Sequence, residues 1–403
     1  MQLLADASMP LVTELAHRFS DALQQQGVAL TLTTFQGRQP TPEQLAQADF
    51  LMIRSITKVD PDLLQQAPQL KWIGTATIGT EHVDAAACQA AGIDFVSTPG
   101  VNANAVGDYV ASAVSCIALE QGNLPRGEVA IIGAGHTGRA AGQRLSGLGL
   151  HVHYYDPPLL QREGTSAPVD VHADWHRVLA SDVISCHVPM TKAGEYPTYH
   201  LFTQASIAAL PDNCILINAS RGAVIEEQAL RAAMQCGQRL HVVLDVWEHE
   251  PQVAADLFPW LRYATAHIAG HSVAGKVGGT RRLFSELAQW LKHAKLTSEL
   301  PPLSELMQPW PEAVRMYRWQ SNEPPTWQML ASWVRDIYDI RIDDKLLRQA
   351  TPEPATFDAL RRNYSARAEL SQGTVAGGSW LAQEAWQVRL RQLTFSHIQK
   401  QEQ

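Results

Sequence analysis

Three successive apolar runs each lead into a residue type that can do chemistry. Ile215-Leu216-Ile217-Asn218 continues as Ala219-Ser220-Arg221-Gly222. His241-Val242-Val243-Leu244-Asp245 continues as Val246-Trp247-Glu248-His249-Glu250-Pro251. Arg262-Tyr263-Ala264-Thr265-Ala266 continues as His267-Ile268-Ala269-Gly270-His271. An arginine offers a carboxylate a rigid fork of donors. An imidazole gains or loses a proton close to neutrality. A carboxylate beside it fixes its tautomer and stabilises the imidazolium that forms. Arg221, Glu250 and His267 therefore suit the oxidation of a 2-hydroxy acid: Arg221 holds the carboxylate, and His267 takes the hydroxyl proton as a hydride leaves. Glu248 competes with Glu250 for the acid's place. Each residue alone also has a plain structural reading, and the chain has 15 histidines. What gives the trio weight is its placement on consecutive strand ends.

A departing hydride needs an acceptor, and Gly127 to Asp156 provides a place for one. Val129-Ala130-Ile131-Ile132 reads as a buried parallel strand, followed by Gly133-Ala134-Gly135-His136-Thr137-Gly138. Arg139 to Leu148 reads as a helix, and His151 to Tyr155 as a second strand ending at Asp156. This is a βαβ unit opening with GxGxxG. Gly133 permits the tight turn, Gly135 lets a pyrophosphate approach the backbone, and Gly138 lets helix and strand pack closely. The free N–H groups at the helix start attract the phosphates. Asp156 lies 18 residues beyond Gly138, where a carboxylate accepts hydrogen bonds from a ribose diol and repels a 2′-phosphate. The expected cofactor is NAD rather than NADP. A glycine motif alone is a weak signal, but here strand, helix and acid all agree. Asp245 is expected as a second acid on the cofactor side.

The elements that must position these residues follow from the rest of the chain. Residues 1–99 read as a small α/β domain with strands at Leu3-Leu4-Ala5, Phe50 to Ile53, Trp72-Ile73-Gly74 and Asp94-Phe95-Val96. Ligands bind beyond the carboxyl ends of such strands. Two of these ends carry polar groups, Arg54-Ser55-Ile56-Thr57-Lys58 and Gly74-Thr75-Ala76-Thr77-Ile78-Gly79-Thr80. Arg54 is a candidate for binding a phosphate, against the alternative that Arg54 and Lys58 are solvated surface. A helix from about Ala105 to Glu120 precedes the glycine loop, and strand and helix then alternate to residue 268 as in a doubly wound sheet. Val273 to Lys295 reads as an amphipathic helix returning to the first domain. Prolines 301, 302, 309, 311, 324 and 325 mark a change of character. Residues 296–403 hold six of the eleven tryptophans, with helices expected at Thr326 to Asp336 and Phe357 to Glu369. Aromatic-rich segments of this size mediate association or fill a third core.

A chain of 403 residues forms two or three domains. Its net charge of −8 and the lack of a dense basic stripe argue against a nucleic-acid partner. No apolar run reaches the ~18 residues of a membrane helix. The N-terminal MQLLADASMP lacks the basic region of a signal peptide. The cysteines (Cys88, Cys116, Cys186, Cys214 and Cys236) are odd in number and form no CxxC pair. They read as buried reduced thiols of a cytoplasmic protein, and no metal-ligand spacing is present.

Taken together, Gly133 to Gly138 with Asp156, Ser220-Arg221-Gly222, Asp245 to Pro251 and His267-Ile268-Ala269-Gly270 resemble the D-isomer-specific 2-hydroxyacid dehydrogenases over residues 1–295. Further stretches resemble a branch of that family that oxidises 4-phospho-D-erythronate to its 2-oxo acid with NAD, on the route to pyridoxal phosphate. These are Arg54 to Val59, Gly74 to Thr80, Thr98 to Ala103, Leu244 to Glu248, Ile337 to Asp344 and Phe357 to Glu369. The resemblance implies an α/β fold with a doubly wound Rossmann cofactor domain (residues 101–271) and a flavodoxin-like split substrate domain (1–100 plus 272–295). It also implies a small α+β C-terminal dimerisation domain (296–403) and a cytoplasmic homodimer. It assigns Arg221, Glu250 and His267 to catalysis. Asp156, Val188, Ala219, Ser220, Arg221, Asp245 and Gly270 become cofactor contacts, and Ser55 and Thr77 substrate contacts. His271 stands where the family usually has a substrate-contacting tyrosine; its imidazole is shorter but can carry charge and meet a phosphate. Arg361 or Arg362 of the partner subunit is a second candidate for the phosphate. A phosphoglycerate-type dehydrogenase and an NAD-sensing regulatory protein are the alternatives. Domain closure is expected about hinges near residues 100 and 272.

Overall fold

The apolar runs become inner strands of parallel sheets, where both faces are covered and unbroken apolar sequence is what burial requires. The computed structural model describes residues 1–77, 79–298, 300, 316–364 and 367–399. By its contacts the chain divides into two compact units. One joins Met1–Asn102 to the described residues from Val273 to 300; the other joins Ala103–Ser272 to those from 316 onward.

In the first unit, β1 (Gln2–Asp6), β2 (Thr31–Phe35), β3 (Phe50–Ile53), β4 (Trp72–Thr75) and β5 (Asp94–Ser97) form a parallel sheet of order β2-β1-β3-β4-β5. That is the flavodoxin-like order. The whole of β3 and β4 is buried, whereas the edge strand β2, TLTTF, is mostly exposed. Its run of threonines carries little apolar signal, and sequence reading passed over it. The helix Val273–His293 packs on this sheet through Leu283, Phe284, Leu287 and Leu291. Its Phe284 ring meets Phe19 edge-on, 5.4 Å between centroids.

In the second unit, β6 (Glu128–Ile132), β7 (His151–Tyr155), β8 (Val171–His172), β9 (Val183–Cys186), β10 (Cys214–Asn218), β11 (Leu240–Leu244) and β12 (Leu261–Ala264) form a parallel sheet of order β12-β11-β10-β9-β6-β7-β8. Counted from its own first strand, this is the 3-2-1-4-5-6 order of dinucleotide-binding sheets with one strand added. The order reverses between β6 and β9, where a ligand crevice is expected.

The same unit holds a second sheet. Here β13 (Tyr317–Ser321), β14 (Gly373–Gly377) and β15 (Ser396–Gln399) run parallel in the order β13-β14-β15. Around it lie the helices Trp327–Ile337, Ile340–Gln349, Pro354–Arg362 and Glu384–Gln392. Leu330, Trp333, Val334 and Ile337 share a core with Val106, Val110, Val114 and Ile117 of the helix Ala103–Gln121. That helix is buried continuously from Ala105 to Ala118, because protein covers it all round. Hence its sequence shows no clear polar face. Close packing extends to the helix His136–Leu148, where a Cβ on Gly147 would lie 2.7 Å from Leu393.

Four sequence expectations change here. The helix expected over Phe357 to Glu369 runs from Pro354 to Arg362, which frees Tyr364, Arg367 and Glu369 for contacts described below. The three C-terminal strands were missed because they are short and mix glycine, tryptophan and polar residues. The tryptophans suggested as association signals are largely internal: Trp319 stacks on Trp333 at 5.3 Å and Trp380 meets Trp386 at 5.5 Å. Cys236 is exposed, while the other four cysteines are buried. The residues 301–311, with their prolines and Trp310, lie outside the described residues. No helix among the described residues is long and apolar enough to cross a membrane.

Candidate active site

The turn after β6 is shaped for backbone rather than side chains. Gly133 has a φ of +92°, and a Cβ there would sit 2.6 Å from the His187 carbonyl oxygen in the loop after β9. A Cβ on Gly138 would overlap the Gly133 carbonyl. Gly135 differs: a Cβ there would meet nothing within 4 Å, and as N-cap of the helix it supplies no side-chain cap. The first amides of that helix, at His136 and Thr137, are thus left for an external acceptor. A tight turn, open space and uncapped amides together fit a dinucleotide pyrophosphate, so Gly133, Gly135, His136, Thr137 and Gly138 would hold NAD there. Asp156 carries two internal duties. One oxygen accepts the Ala134 amide at 2.8 Å, and the other caps the next helix through the Leu159 amide at 3.0 Å. Each oxygen keeps a second lone pair for a ribose hydroxyl. His187 is buried, which pushes its imidazole down to about 3 and keeps it neutral. Its Nε2 meets the Ser185 hydroxyl at 2.9 Å, and Val188 follows it, half-buried.

The trio stands on three neighbouring strands, β10, β11 and β12. His267 has a left-handed backbone, φ 54°. Asp245 holds that turn: its carbonyl accepts the His267 amide at 2.7 Å. Its buried carboxylate accepts from the Thr265 hydroxyl (2.6 Å) and the amides of Ile268 (2.8 Å) and Ala269 (2.9 Å). Asp245, expected from sequence on the cofactor side, thus also shapes the loop that carries His267. His267 Nδ1 lies 2.7 Å from Glu250 Oε2, and Glu250 Oε1 accepts the Trp247 amide at 2.9 Å. Burial alone would raise the Glu250 carboxyl. The His267 hydrogen bond and charge, the Trp247 amide and the positive charge of Arg361 outweigh it, so its pKa lies below the usual 4.5. A depressed carboxylate stabilises the fold above that value, and the contribution is lost as pH falls through the lowered one.

Glu248 faces elsewhere. It pairs with His200 Nε2 at 2.6 Å and accepts the Glu227 amide at 3.0 Å, so Glu250 alone of the two competing acids meets His267. Arg361, considered from sequence as an intersubunit residue, acts on Glu250 within its own chain. Arg221 follows β10 and donates from Nη1 to the Ser220 carbonyl at 2.9 Å. The Asn218 amide grips the same loop through the Arg221 carbonyl (3.0 Å), and its oxygen accepts from the Ser220 hydroxyl (2.8 Å). A Cβ on Gly222 would overlap the Trp247 backbone, so the loops bearing Arg221 and Glu250 touch. Ala219 is half-buried and Ser220 buried.

The first unit holds the other sequence candidates. Arg54, beyond β3, donates from Nε and Nη2 to the buried Asp6 at 2.8 and 3.2 Å. Ser55 is exposed. Thr77, beyond β4, is 2.8 Å from the Thr75 hydroxyl and donates to the Gly79 carbonyl at 3.1 Å. Lys58 is exposed and paired with Asp60 at 3.0 Å.

Residues 115–272 match the family model described as D-isomer specific 2-hydroxyacid dehydrogenase, NAD binding domain. Over 368 residues the chain is 44% identical to the erythronate-4-phosphate dehydrogenase of Idiomarina loihiensis, covering 90% of each. The chain belongs to the erythronate-4-phosphate dehydrogenase family. A second member, from Aeromonas salmonicida, is 38% identical over 94% of this chain and 96% of its own. NAD is thus the cofactor, and the chain is an NAD-dependent 2-hydroxyacid dehydrogenase. In fold, it resembles 3-phosphoglycerate dehydrogenase of Entamoeba histolytica with bound NAD+ (TM-score 0.58, 20% identity, 73% of this chain and 96% of that one). It also resembles D-lactate dehydrogenase of Aquifex aeolicus (TM-score 0.53, 20% identity, 73% of this chain and 97% of that one).

Residues 312–392 match a separate model, described only as a domain of unknown function. In this member of the erythronate-4-phosphate dehydrogenase family, that segment grips the loop after His267. Arg367 is buried against the Tyr338 ring, 3.9 Å from its centroid, and donates from Nη2 to the carbonyls of Ala269 (2.5 Å) and Ala105 (2.6 Å). Ser272 donates to Glu369 at 2.6 Å, and the Tyr364 ring lies 5.9 Å from that of His271, the residue after Gly270. Sequence reasoning missed Tyr364, Arg367 and Glu369. They lay in the stretch Phe357 to Glu369, read as a helix, and nothing local tied them to the loop after His267.

Proposed function

We propose that this chain oxidises 4-phospho-D-erythronate to 3-hydroxy-2-oxo-4-phosphobutanoate with NAD, a step of pyridoxal 5′-phosphate biosynthesis in the cytoplasm. The observation that carries the reading is the 2.7 Å contact of His267 Nδ1 with Glu250, on the sheet whose β6 loop takes NAD. A carboxylate at Nδ1 keeps that nitrogen protonated and leaves the Nε2 lone pair for an incoming proton. His267 Nε2 removes the proton of the 2-hydroxyl while the C2–O bond becomes a carbonyl. Bound NAD would supply the acceptor for the C2 hydride. Glu250 stabilises the imidazolium as it forms, and Asp245 keeps the ring in place through its hold on residues 265–269. Arg221 holds the substrate carboxylate and orients C2. In the reverse direction, protonated His267 is the acid.

The test is a panel of 2-hydroxy acids with and without a terminal phosphate, followed by NADH absorbance, with NADP in a parallel set. The expected outcome is a preference for the phosphorylated acid of at least about 100-fold in kcat/KM, the worth of one or two charge-assisted contacts. Equal use of unphosphorylated acids would sink the substrate assignment.

The active form proposed is a homodimer built through the C-terminal segment. Five of the eight large exposed apolar side chains among the described residues lie from residue 316 onward: Met316, Ile342, Leu346, Val388 and Ile398. Ile342 and Leu346 are one helical turn apart, as expected for an apolar stripe awaiting a partner. Sedimentation of Ile342→Glu/Leu346→Glu should give monomers; an unchanged dimer would place the interface elsewhere. No dense basic stripe calls for a nucleic-acid partner.

A further inference from the structure

The helix Val273–His293 begins beyond the carboxyl ends of two strands of the first unit. A Cβ on Gly279 would lie 2.9 Å from the Ala76 carbonyl, just after β4, and one on Gly278 would lie 3.9 Å from Val101, after β5. Lys276 is three residues before Gly279 and so shares its helix face. It stands on the same rim as Arg54 at the end of β3 and Thr77 after β4.

Lys276 is badly placed for a lysine without a ligand. It is half-buried. It sits in the first helical turn, which holds no acidic residue and where the helix dipole disfavours a cation. Its charged neighbour is another cation, Arg54; burial first, and that guanidinium second, pull its pKa down. No carboxylate pairs with it among the described residues. Lys58, by contrast, is exposed and paired with Asp60. Asp6 accepts two hydrogen bonds from Arg54 and offsets one positive charge, so Asp6, Arg54 and Lys276 together leave one in excess. Three unfavourable features at one residue are removed together by a bound anion.

We propose that Lys276 is a substrate-binding residue which, with Arg54, forms the subsite for the terminal phosphate of the substrate. Ser55 and Thr77 supply the neutral hydroxyls of the same rim. The assignment to substrate rests on the function proposed above; the anion site itself does not.

The test uses the full-length protein and two readouts. Inorganic phosphate is titrated calorimetrically into the wild type, Lys276→Gln and Lys276→Arg. The preference in kcat/KM for 4-phospho-D-erythronate over D-erythronate is then measured for each. Losing one charge-assisted contact should weaken phosphate binding about 10–100-fold in Lys276→Gln and shrink the preference by a similar factor. Lys276→Arg should recover most of both. If Lys276→Gln loses its thermal transition, Lys276→Met, which keeps the apolar stem, replaces it. Phosphate affinity equal in wild type and variant, or no phosphate binding by the wild type, overturns the proposal. So does a preference that Lys276→Gln leaves intact. A Lys276-dependent phosphate site in a wild type that prefers neither acid would sink the substrate reading and leave the anion site standing.

Discussion

Replacing His267 by asparagine should lower kcat by about 10²–10⁴-fold, the range for loss of a positioned general base. Asparagine is the informative choice because position 267 has a φ of 54°. Asparagine tolerates left-handed backbone better than most residues, so the turn and the hydrogen bonds that Asp245 accepts should survive. An amide still fills space near Glu250 but cannot take a proton. NAD binding, followed by NADH fluorescence, should persist because the β6 loop is untouched. Adding Glu250→Gln should cost little more, since the two residues act as one unit through their 2.7 Å contact and such effects are far from additive. A His267→Asn enzyme whose kcat fell by less than about tenfold would place the proton acceptor elsewhere.

Asp108→Asn should be the most destabilising single change in the second unit. The side chains of Asp108 and Arg144 are each 1% exposed and joined at 2.8 Å. The second Asp108 oxygen accepts the Leu370 amide at 2.8 Å. Arg144 also donates to the Gln392 carbonyl (3.1 Å) and the Asn104 side chain (2.9 Å). Two helices of the nucleotide-binding region and two C-terminal segments therefore meet at one buried ion pair. Removing one charge leaves the other buried and uncompensated, which costs about 3–5 kcal/mol. For a unit of this size that corresponds to a fall in Tm of about 6–20 °C. The double replacement Asp108→Leu/Arg144→Met should recover much of the loss, because the cost comes from the orphaned charge and not from the missing pair. A fall of less than about 2 °C in Asp108→Asn would show that water reaches and solvates Arg144.

Much of the nucleotide-binding half was legible because its signals are local. Val129 to Ile132 had to be a buried strand, Gly133 and Gly138 had to be glycine, and the loops after Asn218, Leu244 and Ala264 had to lie side by side once strands alternate with helices. The C-terminal strands were not legible, since five-residue stretches such as GTVAG carry no periodicity that separates strand from turn. The second duty of Asp245 was not legible for a related reason: an acid at a strand end looks the same whether or not it also accepts amides from the next loop.

By itself, the sequence determined the doubly wound sheet, the glycine-rich loop and the three residue types of the candidate trio, because strand period, glycine spacing and chain order are encoded within short windows. Residue types alone left Glu248 and Glu250 in competition, and the tertiary structure turns Glu250 toward His267 and Glu248 toward His200. The same holds for Arg367 against the Ala269 carbonyl and for Lys276 beside Arg54. Those pairings depend on strand order and on helices that return from far along the chain. Burial and charge there are set by neighbours that no local window contains.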